Sequence, residues 1–300
     1  MKIGFIGLGK MGGHMVARLV EGGHEVVVTG RNPERVAAAV NSGATSVDGY
    51  SELVSSLGDN PVVWLMIPAD VVEDEMSKVV DLMKHGGTIV DGGNSDYRQT
   101  LRRAALAKER GVELVDAGTS GGILGAEAGY CIMVGGDQET VDTLTPLFET
   151  LAQPSGWGYF GPSGAGHYVK MVHNAIEYGV MESYAEGYRL LKDGKDFKGL
   201  DLAKLAGVWQ HGSVVASLLN QLAGQALRAN PNLDGIEGYV AESGEARWTL
   251  ETAKDQGIPM PAVDDAFQVR IQSQQGQVNF GTKLLAAMRN LFGGHAVNKS

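Results

Sequence analysis

The sequence predicts an α/β amino-terminal half, a doubly wound and mostly parallel sheet, followed by an all-α carboxy-terminal half. Three observations predict it. A strand–glycine turn–helix–strand order spans Lys2 to Thr29, apolar strand runs then alternate with helical spacing, and beyond Gly166 only helical spacing remains.

Lys2-Ile3-Gly4-Phe5-Ile6 is the first strand, and Gly7-Leu8-Gly9-Lys10-Met11-Gly12 follows it. A helical segment from Met15 to Val20 ends at Glu21-Gly22-Gly23-His24, and Val26-Val27-Val28-Thr29 reads as a second buried strand. This order is that of a Rossmann-type dinucleotide fingerprint. Gly7 permits the tight turn, Gly9 lets a pyrophosphate approach the backbone, and Gly12 allows helix and strand to pack closely. The helix N-terminus offers amide donors to the phosphates. Leu8, Lys10, Met11 and, further on, Asn94 complete the expected coenzyme contacts.

After the second strand comes Thr29-Gly30-Arg31-Asn32-Pro33-Glu34-Arg35. A carboxylate at this tip would bind a ribose 2′-hydroxyl, whereas arginine accommodates a 2′-phosphate. Arg31, with Asn32 and Arg35, favours NADP. Stacking of Arg31 on adenine would admit NAD as well.

Further strands are expected at Val62–Ile67, Thr88–Asp91 and Glu113–Asp116, with helices at about 71–83 and 97–110. Two of these strands run into polar loops, Asp91-Gly92-Gly93-Asn94-Ser95 and Asp116-Ala117-Gly118-Thr119-Ser120-Gly121-Gly122. Ligands of open α/β sheets bind outside the carboxyl ends of strands, although each loop alone is also ordinary turn chemistry. Gln153 to Gly166, rich in Gly, Pro and Ser, reads as the boundary between a coenzyme-binding domain of residues 1–163 and a helical domain of residues 164–300. Helices are then expected at about 166–192, 200–210, 214–227, 244–256, 262–273 and 282–292.

The first of these carries an unusual stripe. Lys170, His173, Asn174, Glu177 and Tyr178 share one helix face, while Met171, Val172, Ala175, Ile176 and Val180 fall elsewhere. A solvated face with i,i+3 and i,i+4 pairing gives the same spacing. Burying a Lys, a His and a Glu together costs several kcal/mol unless they pair or meet a polar ligand. The glycine-rich Gly161–Gly166 leads into the stripe, which reads as the wall of an active site where a lysine and a glutamate serve one substrate as base and acid.

Composition narrows the classes. With 43% hydrophobic and 20% charged residues the chain can bury a core. A net charge of −10 argues against general nucleic-acid or anionic-membrane binding, while a few arginines can still reverse the potential within one cleft. No apolar stretch reaches the roughly 18 residues of a membrane helix. The amino terminus reads straight into a strand with no leader, and one cysteine fits a reducing compartment, so a cytoplasmic location is expected. Cys131, in the apolar run Tyr130–Val134, is expected to be an inert buried thiol. No Cys/His cluster has metal-ligand spacing, so no metal is expected.

Together these motifs carry a resemblance. The chain resembles the decarboxylating 6-phosphogluconate dehydrogenases in their shorter bacterial form, through Gly7–Gly12, Asp91–Ser95, Ser120-Gly121-Gly122, Lys170–Tyr178, Arg247-Trp248-Thr249, Arg270, and Arg289 to His295. The resemblance implies Lys170 as the base at the C3 hydroxyl and Glu177 as the acid that protonates C1 of the enediol. It implies Asn94, Ser120, Gly121, Gly122, His173 and Asn174 as contacts to sugar hydroxyls and carboxylate. Tyr178, Arg247, Thr249, Arg270 and Arg289 form the implied phosphate clamp, and His295 a further substrate contact. The matching tail comes from a neighbouring subunit in that family, which implies a homodimer or homotetramer. Two departures stand out: the longer members carry lysine at Arg247, and other members carry a polar or acidic residue at Gly30. Two other readings are a non-decarboxylating β-hydroxyacid dehydrogenase for a small unphosphorylated acid, and a catalytically inactive NADP-binding sensor.

Overall fold

The computed structural model describes every residue except 84, 85, 297, 299 and 300. It divides into two compact units, Met1–Met171 and Val172–Ser300.

The first unit is an eight-stranded sheet: β1 (Lys2–Ile6), β2 (Glu25–Thr29), β3 (Thr45–Ser46), β4 (Val62–Leu65), β5 (Thr88–Asp91), β6 (Glu113–Ser120), β7 (Tyr130–Gly135) and β8 (Ala152–Tyr159). Their order is β3-β2-β1-β4-β5-β6-β7-β8. All pairs are parallel except β6 with β7. The order reverses between β1 and β4, the place where such sheets open a crevice for a ligand.

Alternation along each strand feeds two cores. Phe5, Val28, Trp64, Val90 and Val115 enter one cluster, and Ile6, Val63, Leu65, Ile89 and Leu114 the other. The helices of this unit are α1 (Lys10–Glu21), α2 (Pro33–Asn41), α3 (Gly49–Ser56), α4 (Val72–Val80), α5 (Tyr97–Lys108), α6 (Gly125–Ala128) and α7 (Gln138–Leu151). Met15, Val16 and Leu19 of α1 join Leu144 and Phe148 of α7 in the first cluster, and Leu53 of α3, Met76 of α4 and Ala107 of α5 lie in the second. Each large apolar side chain so buried contributes about 1.5–3 kcal/mol.

Two expectations need correction. The first half of the Gly/Pro/Ser-rich stretch from Gln153 is strand: β8 runs to Tyr159 at the sheet edge, exposed at residues 153–155 and half-buried at 156–159. Pro and Gly are tolerated there because an edge strand has one unpaired side. Cys131 is exposed rather than buried. Its neighbours Tyr130 and Ile132 point inward, so the period of two along β7 turns the thiol to the other face.

The second unit is helical among its described residues. A long helix, α8 (Ala165–Asp193), starts in the first unit and is followed by α9 (Leu202–Trp209), α10 (Leu218–Ala229), α11 (Glu245–Asp255), α12 (Pro261–Gln274) and α13 (Phe280–Gly293). Met181, Ala185 and Tyr188 of α8 pack with Leu202 and Ala206 of α9, Leu222 and Leu227 of α10, and Leu284, Leu285 and Met288 of α13. Side-chain caps mark three starts: Asp201 for α9, Ser217 for α10, and Asn279 with Thr282 in a reciprocal capping box for α13. Gly294 ends α13 in the left-handed conformation.

Candidate active site

Three glycines build the coenzyme cradle for different reasons. Gly7 has φ +104°, and a Cβ there would lie 2.2 Å from the Met66 carbonyl oxygen. A Cβ on Gly12 would meet the Gly7 carbonyl oxygen at 1.9 Å, so α1 reaches its place only with glycine. At Gly9, by contrast, nothing among the described residues lies within 4 Å of that position. Gly9 is the N-cap of α1 and supplies no side-chain capping bond. The open space therefore fronts the helix's positive end, and these residues fit a dinucleotide pyrophosphate. Leu8 is buried, Met11 half-buried and Lys10 exposed at the same turn.

At the tip of β2, Arg31 and Asn32 are exposed. The Asn32 side chain accepts the Arg35 amide at 3.0 Å and so caps α2. Tyr50 donates to Glu75, and with Lys78 and the charge of Arg31 this holds the Glu75 carboxyl below the usual range.

The loop after β5 is shaped from beneath. The Asp91 carboxylate, fully buried, accepts the Gly93 amide and the Ser95 hydroxyl, each at 3.1 Å. Arg103 of α5 is also buried and donates to Ser95 Oγ at 3.0 Å and to the Ala69 carbonyl at 2.9 Å, with Asp91 at 3.5 Å. One guanidinium thus ties the loop after β4 to the loop after β5. Burial lowers its pKa, and the Asp91 charge opposes that. Gly92 leaves no room for a Cβ, which would lie 2.2 Å from Trp64 Nε1. Of residues 91–95, only Asn94 is exposed.

Ser120 ends β6, and Gly121 and Gly122 turn the chain at φ +122° and +53°. Lys170, on the second turn of α8, is only 5% exposed. Its stem lies so close to β6 that a Cβ on Gly118 would come within 2.4 Å of the Lys170 Cβ.

The helical unit gathers the other polar residues. Asn174 of α8 donates to Glu245 Oε1 of α11 at 3.0 Å, and its Oδ1 lies 2.9 Å from His173 Nδ1. The Arg270 guanidinium of α12 sits 3.2 Å from the centroid of the Tyr178 ring. Burial, with the neighbouring Arg289 adding repulsion, brings the Arg270 pKa down to about 10 although Tyr178 opposes it. Arg289 of α13 is 6% exposed and its pKa is likewise lowered by burial, with Tyr178, Glu177 and Glu245 attracting it. Among the described residues no carboxylate lies within ion-pair distance of Arg270 or Arg289. Two adjacent buried cations without a paired carboxylate favour an anion.

Three more of the expected residues have partners of their own. Arg247 is exposed and ion-paired with Glu242. Thr249 is buried and its hydroxyl donates to the Glu245 carbonyl at 2.8 Å. His295 is exposed beyond α13, its ring edge-on to Phe292. Sequence reasoning missed Glu245, Arg103 and the part played by Asp116. Arg103 shares the buried side of α5 with Thr100 and Ala107, at i, i+3 and i+7, and that spacing was the available signal.

A dinucleotide cradle at the sheet's switch point and a buried lysine beside a sheet strand define a nicotinamide-dependent oxidoreductase. Residues 2–161 match the NAD binding domain of 6-phosphogluconate dehydrogenase, and residues 166–280 match that enzyme's C-terminal domain. The chain belongs to the 6-phosphogluconate dehydrogenase family. It is 40% identical over 300 residues to the NAD(+)-dependent, decarboxylating 6-phosphogluconate dehydrogenase of Haloferax volcanii, covering 99% of this chain and 98% of that one. The Plasmodium falciparum 6-phosphogluconate dehydrogenase, whose structure was solved apo, with its cofactor NADP+ and with its substrate 6-phosphogluconate, superposes with a TM-score of 0.82 at 30% identity, over 92% of this chain and 62% of that one. The fold is also shared with Mycobacterium tuberculosis 3-hydroxyisobutyrate dehydrogenase, TM-score 0.74 at 22% identity, over 95% and 98% of the two chains. Among the described residues no helix is long and apolar enough to cross a membrane.

Proposed function

We propose that the chain catalyses oxidative decarboxylation of 6-phosphogluconate to ribulose 5-phosphate and CO₂, with NADP as coenzyme and NAD as a second one. The observation that carries this is the pair of buried guanidiniums, Arg270 and Arg289, with no carboxylate at ion-pair distance among the described residues, in a protein of net charge −10. A phosphate dianion suits such a pair, with Tyr178 beneath Arg270. A small unphosphorylated acid gives these two arginines no comparable role. The name of the Haloferax relative supports the reaction and bears on NAD use. Arg31 supports NADP, and the ionised Glu75 near it offsets part of that preference.

In this reading Lys170, in its neutral form, takes the proton from the C3 hydroxyl. The bound coenzyme supplies the acceptor for the hydride that leaves C3. The resulting β-keto acid loses its carboxylate as CO₂, and the Lys170 ammonium stabilises the negative charge that develops on the C3 oxygen. Glu177, on the same face of α8 two turns on, then protonates C1 of the enediol. Asn94, the Ser120–Gly122 turn, His173 and Asn174 hold the hydroxyls and carboxylate, and Arg247, Thr249 and His295 complete the substrate contacts. Residues 1–163 serve the coenzyme and residues 164–300 the substrate. The protein works in the cytoplasm as a homodimer or homotetramer in which a carboxy-terminal segment completes the neighbour's site.

The test is a parallel assay of coenzyme reduction with 6-phosphogluconate and with 3-hydroxyisobutyrate, using NADP and NAD in turn. Turnover of the phosphorylated acid alone is expected. Turnover of 3-hydroxyisobutyrate alone would replace this reading with the small-acid one.

A further inference from the structure

How α8 is fastened to the sheet bears on the lysine it carries. Asp116 lies in β6, wholly buried, four residues before Ser120. Its carboxylate accepts the Gly164 amide at 2.6 Å through Oδ1 and the His167 amide at 2.8 Å through Oδ2. These amides lie just before and within the first turn of α8, so a residue distant in sequence does the work of an N-cap, and its charge opposes the positive end of the helix. Three glycines let the helix come down on the strands. A Cβ on Gly135 would meet the Gly166 amide nitrogen at 2.7 Å and Asp116 Oδ1 at 2.8 Å. One on Gly166 would meet the Met133 carbonyl oxygen at 2.4 Å, and one on Gly118 would strike the Lys170 stem. Ser163 Oγ donating to the Leu114 carbonyl at 3.0 Å, and Thr100 Oγ1 2.7 Å from His167 Nδ1, tie the same turn from its sides.

We propose that Asp116 is a positioning residue for Lys170: by seating the first turn of α8 on β6 and β7, it fixes where the lysine amine is delivered, and Gly118 leaves the space the lysine stem needs. This rests on the reading of Lys170 as the base. A general base must hold its reach to the proton it abstracts to within tenths of an ångström, and an error of about 1 Å costs on the order of a hundredfold in rate. Capping from β6 couples that reach to the strand that also presents Ser120.

Asp116→Asn keeps the shape but sets an amide NH₂ against one of the two backbone donors. The expected result is a kcat lowered about a hundredfold, with KM for 6-phosphogluconate and coenzyme within about threefold of wild type. Amide exchange should rise at least tenfold over residues 164–170 and stay unchanged at the far end of α8. Ser163→Ala, which removes a side tie and leaves the cap, should keep kcat within about twofold. Should the asparagine variant fail to fold, Gly118→Ala decides: it keeps the Asp116 carboxylate, but its Cβ would lie 2.4 Å from the Lys170 Cβ and 3.0 Å from the Gly166 carbonyl oxygen, so it displaces the lysine stem and is expected to show the same kcat loss at unchanged KM. Wild-type kcat in either folded variant, or a loss of coenzyme affinity equal to the loss in kcat, would overturn the proposal. If the wild-type protein does not turn over 6-phosphogluconate, the functional reading fails separately. The exchange measurement still decides the seating, and unaltered protection of residues 164–170 in Asp116→Asn would refute it.

Discussion

The two units prepare for negative charge by opposite means. In the first, the cradle at Gly7–Gly12 has no buried side-chain cation; shape and the helix end do the work, and the glycines matter by what they leave out. In the second, charge is buried outright: Arg270 and Arg289 sit together, and burial drives both pKa values down. A backbone cradle costs little stability and tolerates water when empty. Buried guanidiniums cost several kcal/mol each unless something anionic answers them. The difference suits a coenzyme held by a common pyrophosphate and a substrate singled out by its phosphate.

The largest expected effect separates chemistry from both binding sites. Lys170→Ala should lower kcat by about a thousandfold or more, with coenzyme affinity, read by reduced-nicotinamide fluorescence, nearly intact. Normal turnover in that variant would remove the lysine from its role. Next, Arg270→Met should raise KM for 6-phosphogluconate by about a hundredfold and leave coenzyme binding alone, because the substrate phosphate loses a desolvated partner. The same substitution should hold or raise the melting temperature, since it removes a buried charge that has no paired carboxylate among the described residues. A destabilised variant with normal KM would make Arg270 structural and erase the contrast between the units. Gly9→Ala should weaken coenzyme binding about tenfold at an unchanged melting temperature, because its Cβ meets nothing within 4 Å among the described residues. Gly12→Ala should instead lower the melting temperature, as its Cβ collides with Gly7.

The smallest effect concerns pH. Burial first, and then the Glu186 charge, push the Glu182 carboxyl up to about 7. A carboxyl raised on folding stabilises the protein below its ordinary value of 4.5, and that contribution is lost as pH rises through about 7. Glu182→Gln should therefore match the wild-type melting temperature at pH 4 and exceed it by about 2 °C at pH 8. An equal difference at both pH values would place the effect in packing instead.

The same contrast decides what could be read from sequence. The cradle is contiguous, so Gly7, Gly9 and Gly12 declare the first unit's fold and ligand within a few residues. The stripe from Lys170 to Tyr178 lies on one helix, and there too spacing sufficed to mark a face that is largely buried while Ile176 and Val180 stay exposed. The arginine cluster is assembled from α8, α12 and α13, so no local pattern contains it, and only the resemblance named Arg270 and Arg289. The Asn174–Glu245 bond joins α8 to α11, again across a sequence gap that periodicity does not bridge. Composition misled at β8, where an edge strand carries the residues of a linker, and at Cys131, where an apolar run hid the strand's period of two.

The most direct measurement is the stoichiometry of CO₂ released to coenzyme reduced, with 6-phosphogluconate as substrate. One CO₂ is expected for each coenzyme reduced, with ribulose 5-phosphate as the product. Reduction without CO₂, or no reduction with either coenzyme, would contradict it.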